Sequence, residues 1–339
     1  MSSSDALAPT RGAARDEVAV AGVREFAFDD HDFRRAAQLI RQRAGIHISD
    51  HKRDMVYSRL ARRVRAHGLL RFRDYLDTLE RDDGPEWEAF VNALTTNLTS
   101  FFREAHHFDA LATHLQALDD DVLTIWCCAA STGEEPYSIA IAACEAFGTL
   151  TPPVRILATD IDTNVLETAA RGVYPMERIA ALSDARRQAY FQRGSGPNAE
   201  LCRVRPALQS LVTFRPLNLL ADDYQLRGGF HAVFCRNVMI YFDKPTQYGV
   251  LSRIAPLLAP GGLLFAGHSE SFGHAEDLVV PCGRTIYRAA GRRATRPCTR
   301  RYCRRRNPAT GAITTTRCRS TRSSCCRPTT SPPTSRSRW

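Results

Sequence analysis

The chain has 339 residues, 44% of them hydrophobic, and 46 basic against 36 acidic side chains give a formal charge of +10. That length exceeds one ordinary core and predicts two folded units plus tails; no stretch approaches the roughly 20 apolar residues of a membrane span. Fourteen arginines and no acid lie from Gly291 onward, so residues 1–290 hold 32 basic and 36 acidic side chains, and the charge argument for a nucleic-acid partner falls away.

Residues 1–25 form a polar leader without the basic start and apolar core of a signal peptide, which predicts a cytoplasmic protein. Apolar side chains then recur at helical spacing in Phe33, Ala36, Ala37, Ile40 and Ala44, in Phe72, Tyr75, Leu76 and Leu79, and in Trp87, Phe90, Val91, Leu94 and Leu98. These predict a helical domain over 26–118. Within it, the pattern at 51–67 puts Val56, Tyr57, Leu60, Ala61 and Val64 on one arc and Lys52, Arg59, Arg62, Arg63 and Arg65 opposite. Taken alone, such a basic face reads as solvated surface.

The character changes at Val122. Short apolar runs at 122–127, 154–159, 211–214, 230–235 and 262–267 alternate with helical stretches at 136–147, 162–171 and 245–258, and Pro136 suits a first helical turn. The alternation predicts a doubly wound α/β sheet over 119–290. After a helical stretch at 183–191, Gly194, Gly196, Pro197 and the alternation around 201–205 predict an inserted β subdomain at about 192–210, with a plain surface loop as the alternative. From 291 to 339 the Arg, Cys, Ser and Thr-rich composition cannot bury a core and predicts a disordered tail. Cys298 and Cys303 in that tail lack a zinc-site spacing, so no metal is expected.

In a doubly wound sheet the ligand lies at the carboxyl ends of the strands, where the first strand-to-helix turn is 129–135. Gly133 allows close approach there, but the G-x-G-x-x-G spacing of a dinucleotide site is missing. Asp160 ends the second strand and can accept hydrogen bonds from both hydroxyls of a ribose, whereas Asp162 reads as the cap of the next helix. Glu134 and Glu135 suit a helix start on electrostatic grounds alone. Cys127, Cys128 and Cys235 read as buried core thiols, and His106, His107 and His268 as packing or surface residues.

Five ordered motifs carry a more specific signal: TTNLTSFFRE at 95–104, ASTGEEPY at 130–137, ATDID at 158–162, CRNVMIYF at 235–242 and FAGHSES at 265–271. Together, over residues 33–288, the chain resembles the CheR family of chemotaxis receptor methyltransferases. The resemblance implies a class I methyltransferase fold: a Rossmann-like sheet with an all-helical N-terminal receptor-recognition domain and a small inserted β subdomain. It further implies methyl transfer from S-adenosylmethionine to glutamate γ-carboxylates of the cytoplasmic domain of a methyl-accepting chemotaxis receptor, yielding methyl esters and S-adenosylhomocysteine. Asn97, Thr99 and Arg103, with Glu134, are then expected around the methionine part of the cofactor, and Asp160 at its ribose. Asn218, Leu219, Arg236 and Asn237 are expected along the adenine and the cofactor's other edge, and Tyr241 beside the transferred methyl.

A glutamate side chain is ionised at neutral pH, so no general base is needed. Arg103 and Tyr241 are expected to orient the reactants, the former through paired guanidinium donors. In the family the basic helix meets the receptor, which casts Lys52, Arg59, Arg62, Arg63 and Arg65 as receptor-binding residues. A receptor C-terminal peptide can pair with the β subdomain in some members; Arg193, Gly194, Gly196 and Arg203 match that region, but Glu200 stands where glycine is expected. The chain is expected to act as a monomer, without metal, nucleic acid or membrane insertion. A nucleic-acid methyltransferase would carry an Asn-Pro-Pro-Tyr motif where this chain has Arg236-Asn237-Val238-Met239.

Overall fold

The computed structural model describes residues 24–290, together with the backbone of two strands at 302–306 and 313–317. Residues 1–23 of the expected leader lie outside the described residues.

Helix α1 (Asp30–Ala44) opens on a reciprocal cap, in which the Asp29 side chain accepts from the Asp32 N–H and Asp32 returns the bond to the Asp29 N–H. It buries Phe33, Ala36, Leu39, Ile40 and Ala44 against α2 (Arg53–Ala66), α3 (Phe72–Arg81) and α4 (Glu86–Leu94). Gly45 ends α1 in the left-handed region (φ +71°), and a Cβ there would come within 3.0 Å of the Phe242 ring. Glycine therefore lets the helical domain close on the sheet domain.

Helix α5 (His106–Gln116) belongs elsewhere. Its Phe108, Leu111 and Leu115 share a core with Leu123, Ile125 and Ile139 of the sheet domain, so the helical domain ends near 95 and not at 118. Spacing reveals which face of a helix is apolar, but not what that face packs on.

The chain continues through β1 (Leu123–Cys127), α6 (Glu134–Phe147), β2 (Val154–Asp160) and α7 (Thr163–Arg171). An excursion follows, with β3 (Val173–Pro175), α8 (Asp184–Tyr190), β4 (Phe191–Arg193), β5 (Leu201–Val204) and α9 (Pro206–Gln209). Then come β6 (Val212–Pro216), β7 (Phe230–Phe234), α10 (Lys244–Ile254), β8 (Leu258–Phe265), β9 (Val279–Gly283) and β10 (Ile286–Ala289).

The main sheet has the order β6-β2-β1-β7-β8-β10-β9, parallel from β6 to β8, with β10 antiparallel to both neighbours. The chain's direction of travel across this sheet reverses between β1 and β7, which sets a crevice at their carboxyl ends. The terminal β9–β10 hairpin was not among the expected strands. The small antiparallel sheet has the order β3-β5-β4 and takes one edge from Val173–Pro175, upstream of the expected 192–210. Three residues are too few to show a period, and Phe191, expected to end a helix, opens β4.

In the tail, β11 (Tyr302–Arg306) and β12 (Ile313–Arg317) pair antiparallel as a unit of their own. The rest of the stretch expected to be disordered lies outside the described residues. Among the described residues no helix is long and apolar enough to cross a membrane.

Candidate active site

The turn after β1 is built for close packing. Gly133 caps α6 at φ +98°, where a Cβ would come within 2.7 Å of the Tyr174 hydroxyl and 2.8 Å of Ala169 Cβ. Ser131, also in the left-handed region, donates its N–H to Asp160 Oδ2 at 2.8 Å, and the Asp162 N–H reaches Oδ1 at 3.0 Å. Burial raises the Asp160 pKa to about 6 against these two donors. Asp162 caps α7 as expected, accepting from the N–H groups of Asn164 (3.0 Å) and Val165 (3.3 Å). Its second oxygen accepts from Thr95 Oγ1 (2.6 Å) and Asn97 Nδ2 (2.8 Å), which ties the exit of the helical domain to the sheet.

One cavity spans the crevice. Asn97, Thr99 and Arg103 line it from the segment after α4, Asp160 from β2, Asn218 and Leu219 from the loop after β6, and Arg236, Asn237 and Tyr241 from the loop after β7. The helical domain closes it with Ile46, His47, Lys52 and Met55. Nine of the ten residues expected at the site therefore meet around one space.

Glu134 is the exception. It is fully buried, its Oε2 takes the Thr132 hydroxyl at 2.6 Å, its Oε1 faces Arg178 Nη2 at 3.0 Å, and it does not line the cavity. Glu135 does line it. Two adjacent acids at a helix start look alike in sequence, and the phase of the helix separates them.

Several lining side chains are committed to the protein itself. The buried Arg236 guanidinium lies 2.5 Å from Glu135 and 3.4 Å from Glu104, and it also donates to the Arg103 carbonyl. Burial would raise the Glu104 pKa, but Arg236 and His268 bring it down to about 2. Burial raises that of Glu135, with Arg236 opposing. The Asn218 amide donates to the Arg43 carbonyl at 2.9 Å, again joining the two domains.

The loop carrying Tyr241 is held from both sides. Glu270 accepts the N–H groups of Gly267 (2.5 Å), Met239 (2.7 Å) and Asn237 (2.9 Å), the last of these in the left-handed region. The Tyr241 carbonyl accepts the His47 N–H at 3.0 Å, and the Lys52 ammonium stands 5.9 Å from the Tyr241 ring centre. Burial raises the Tyr241 pKa, so the phenol is neutral at physiological pH. Glu270 lies inside the FAGHSES motif and was not among the expected site residues; an acid three residues after Gly267 was the available signal.

The basic helix is less free than its pattern implied. Arg59 donates to the carbonyls of Ala93 and Thr95 at the end of α4, Arg63 forms a paired contact with Glu86, and Arg65 pairs with Glu25. Lys52 turns into the cavity. Only Arg62 of the five is exposed and without an ion pair among the described residues.

In the small sheet, Glu200 is exposed and outside the left-handed region, so its backbone does not demand glycine. Cys127, Cys128 and Cys235 are buried as expected; His107 is buried and His268 exposed.

Comparison with known proteins agrees with this architecture. Residues 97–287 match the family model described as CheR methyltransferase, SAM binding domain, and residues 31–95 match CheR methyltransferase, all-alpha domain. The chain is 53% identical over 262 residues to the chemotaxis protein methyltransferase of Escherichia coli K12, covering 77% of this chain and 91% of that one. It is 50% identical over 273 residues to chemotaxis protein methyltransferase 2 of Pseudomonas aeruginosa, covering 80% and 97%. A TehB-like SAM-dependent methyltransferase of Corynebacterium glutamicum superposes with a TM-score of 0.31 at 13% identity, covering 55% of this chain and 92% of that one. Both halves of the family and their order are present, and the chain belongs to the CheR methyltransferases, with a domain that binds S-adenosylmethionine.

Proposed function

We propose that this chain transfers the methyl group of S-adenosylmethionine to glutamate γ-carboxylates of a chemoreceptor, leaving glutamyl methyl esters and S-adenosylhomocysteine. The observation that carries the reading is the single cavity in which Asp160, the segment from Asn97 to Arg103 and Tyr241 face one space. The donor set fits the cofactor. Each Asp160 oxygen accepts one backbone N–H and keeps a lone pair for a ribose hydroxyl. Leu217, Leu219, Val238 and Phe242 offer apolar wall to an adenine, while Glu135 at the start of α6 brings a carboxyl to the cavity for a cationic methionine portion.

Bound there, S-adenosylmethionine supplies an electrophilic sulfonium methyl. The acceptor carboxylate arrives ionised, so the protein's contribution is orientation and exclusion of water. Arg103 Nη1 donates to the Leu98 carbonyl at 3.0 Å, and the other guanidinium nitrogens have no hydrogen-bond partner among the described residues. They are free to hold a carboxylate in paired fashion. Tyr241, neutral and fixed by Glu270 and His47, offers a hydroxyl at the same wall.

Incubation with methyl-labelled S-adenosylmethionine and a receptor cytoplasmic fragment tests the reading. Label released as methanol by mild alkali is the expected result; alkali-stable label means nitrogen methylation and rejects it. Receptor contact through the basic helix now rests on Arg62. Arg62→Glu is expected to lower receptor methylation severalfold at low salt, with unchanged affinity for S-adenosylhomocysteine. Methylation at the wild-type rate would remove Arg62 from the contact. Arg59→Glu is the poorer test, since it also strips the end of α4 of a donor.

A further inference from the structure

The small antiparallel sheet grips the segment that carries Arg103. Phe101 is buried with its ring edge-on to Tyr174 of β3 and to Phe191 of β4, each at a centroid distance of 5.3 Å. Tyr174 donates its hydroxyl to the Thr132 carbonyl at 2.7 Å, so the same strand also touches the turn before α6.

Arg178 completes the link. It sits in the turn Met176–Ile179, directly after β3, and its guanidinium meets both Glu134 and Thr99. Nη2 lies 3.0 Å from Glu134 Oε1, and Nη1 donates to the Thr99 carbonyl at 3.4 Å. Glu134 is fully buried and its Oε1 makes no hydrogen bond, so this ion pair is what neutralises it. One planar group thus spans the cofactor turn and the Thr99–Arg103 stretch, and it is supplied by the turn that follows β3 of the small sheet. A sheet that only displayed an edge to a peptide would need none of these contacts.

We infer that Arg178 is a positioning residue of the methyl-transfer site, anchored in the small sheet and setting Thr99 and Arg103 against the Glu134 turn. It touches neither reactant and acts through Thr99 and Glu134. The inference rests on the methyl-transfer reading of the cavity. A rigid two-pronged guanidinium can serve both acceptors at once, whereas a lysine ammonium is a point donor on a flexible stem.

Arg178→Lys keeps a cation for Glu134 and is expected to melt at the wild-type temperature. Its kcat at saturating S-adenosylmethionine should nevertheless fall roughly tenfold or more, because the reacting groups lose their alignment. Millimolar guanidinium should restore part of the turnover of Arg178→Ala and leave Arg178→Lys unchanged. A second readout needs no acceptor: backbone amides across 97–103 should exchange hydrogen about tenfold faster in Arg178→Lys.

Wild-type kcat in Arg178→Lys overturns the inference, and so does unchanged exchange across 97–103. A receptor fragment left unmodified by the wild-type enzyme counts against the receptor reading instead, and the exchange result then decides the inference.

Discussion

Replacing Arg236 by methionine is expected to cost the fold roughly 3–5 kcal/mol, because it leaves two buried carboxylates facing each other without a cation. Arg236 is 3% exposed and is the shared partner of Glu104 and Glu135. In a domain of this size such a loss corresponds to a fall in Tm of roughly 10 °C. The pH dependence carries the sharper signature. In the wild type, Glu104 is held at about 2, below its unfolded value, so its contribution is complete above the ordinary glutamate range and is lost as pH falls toward 2. In Arg236→Met burial outweighs what remains, the His268 and Asn237 bonds on Glu104 and the Cys127 contact on Glu135, so both pKa values rise and stability should increase between pH 7 and pH 5. Thermal melts at the two pH values decide the matter. A variant that melts within two or three degrees of wild type, or that loses stability on acidification, shows that the pair does not depend on Arg236. Adding Glu135→Gln should recover part of the loss, since one of the two unpaired charges is then gone.

The same residue shows what a sequence can and cannot disclose. Arg236 was expected at the cavity wall through the resemblance carried by the CRNVMIYF motif at 235–242, and it does line the cavity. Its commitment to Glu104 and Glu135 was not expected, because those partners lie more than a hundred residues away in sequence and meet it only across the crevice. The partners of the basic helix were hidden for the same reason. A helical wheel displays Arg59, Arg63 and Arg65 as one charged face, yet Glu86, Glu25 and the carbonyls that end α4 occupy them in the fold. Strands β1, β2 and β7 were readable as apolar runs because each is buried on both faces. The three-residue β3 offered no period at all, and with it the sequence concealed the contact between Tyr174 and the cofactor turn. Local rules did well where the answer was local. Asp162 was readable as a cap because its partners are two and three residues ahead.

Affinity for S-adenosylhomocysteine is expected to be level above about pH 7 and to fall by up to tenfold per pH unit below about 6, through Asp160. Burial holds that carboxyl at about 6, and only the ionised form can accept from both ribose hydroxyls. A folded-state pKa above the unfolded one also means that the empty protein gives up stability as pH rises from the aspartate range through 6. Ligand binding offsets that loss, so the rise in Tm on adding S-adenosylhomocysteine should be larger at pH 8 than at pH 5.5. Glu135 is raised in the same direction and could contribute to the profile. Asp160→Asn separates the two. It removes a charged acceptor worth about 1.5–3 kcal/mol per hydrogen bond, so affinity at pH 8 should drop by roughly a hundredfold or more. The remaining profile between pH 5.5 and 8 should then be nearly flat. A steep profile that survives in Asp160→Asn assigns the titration to Glu135, and wild-type affinity in that variant removes Asp160 from the ribose. The position gains its function from the same burial that costs the empty fold stability: a carboxylate short of solvent, with one backbone N–H on each oxygen, is left with unmet acceptor capacity directed at the cavity.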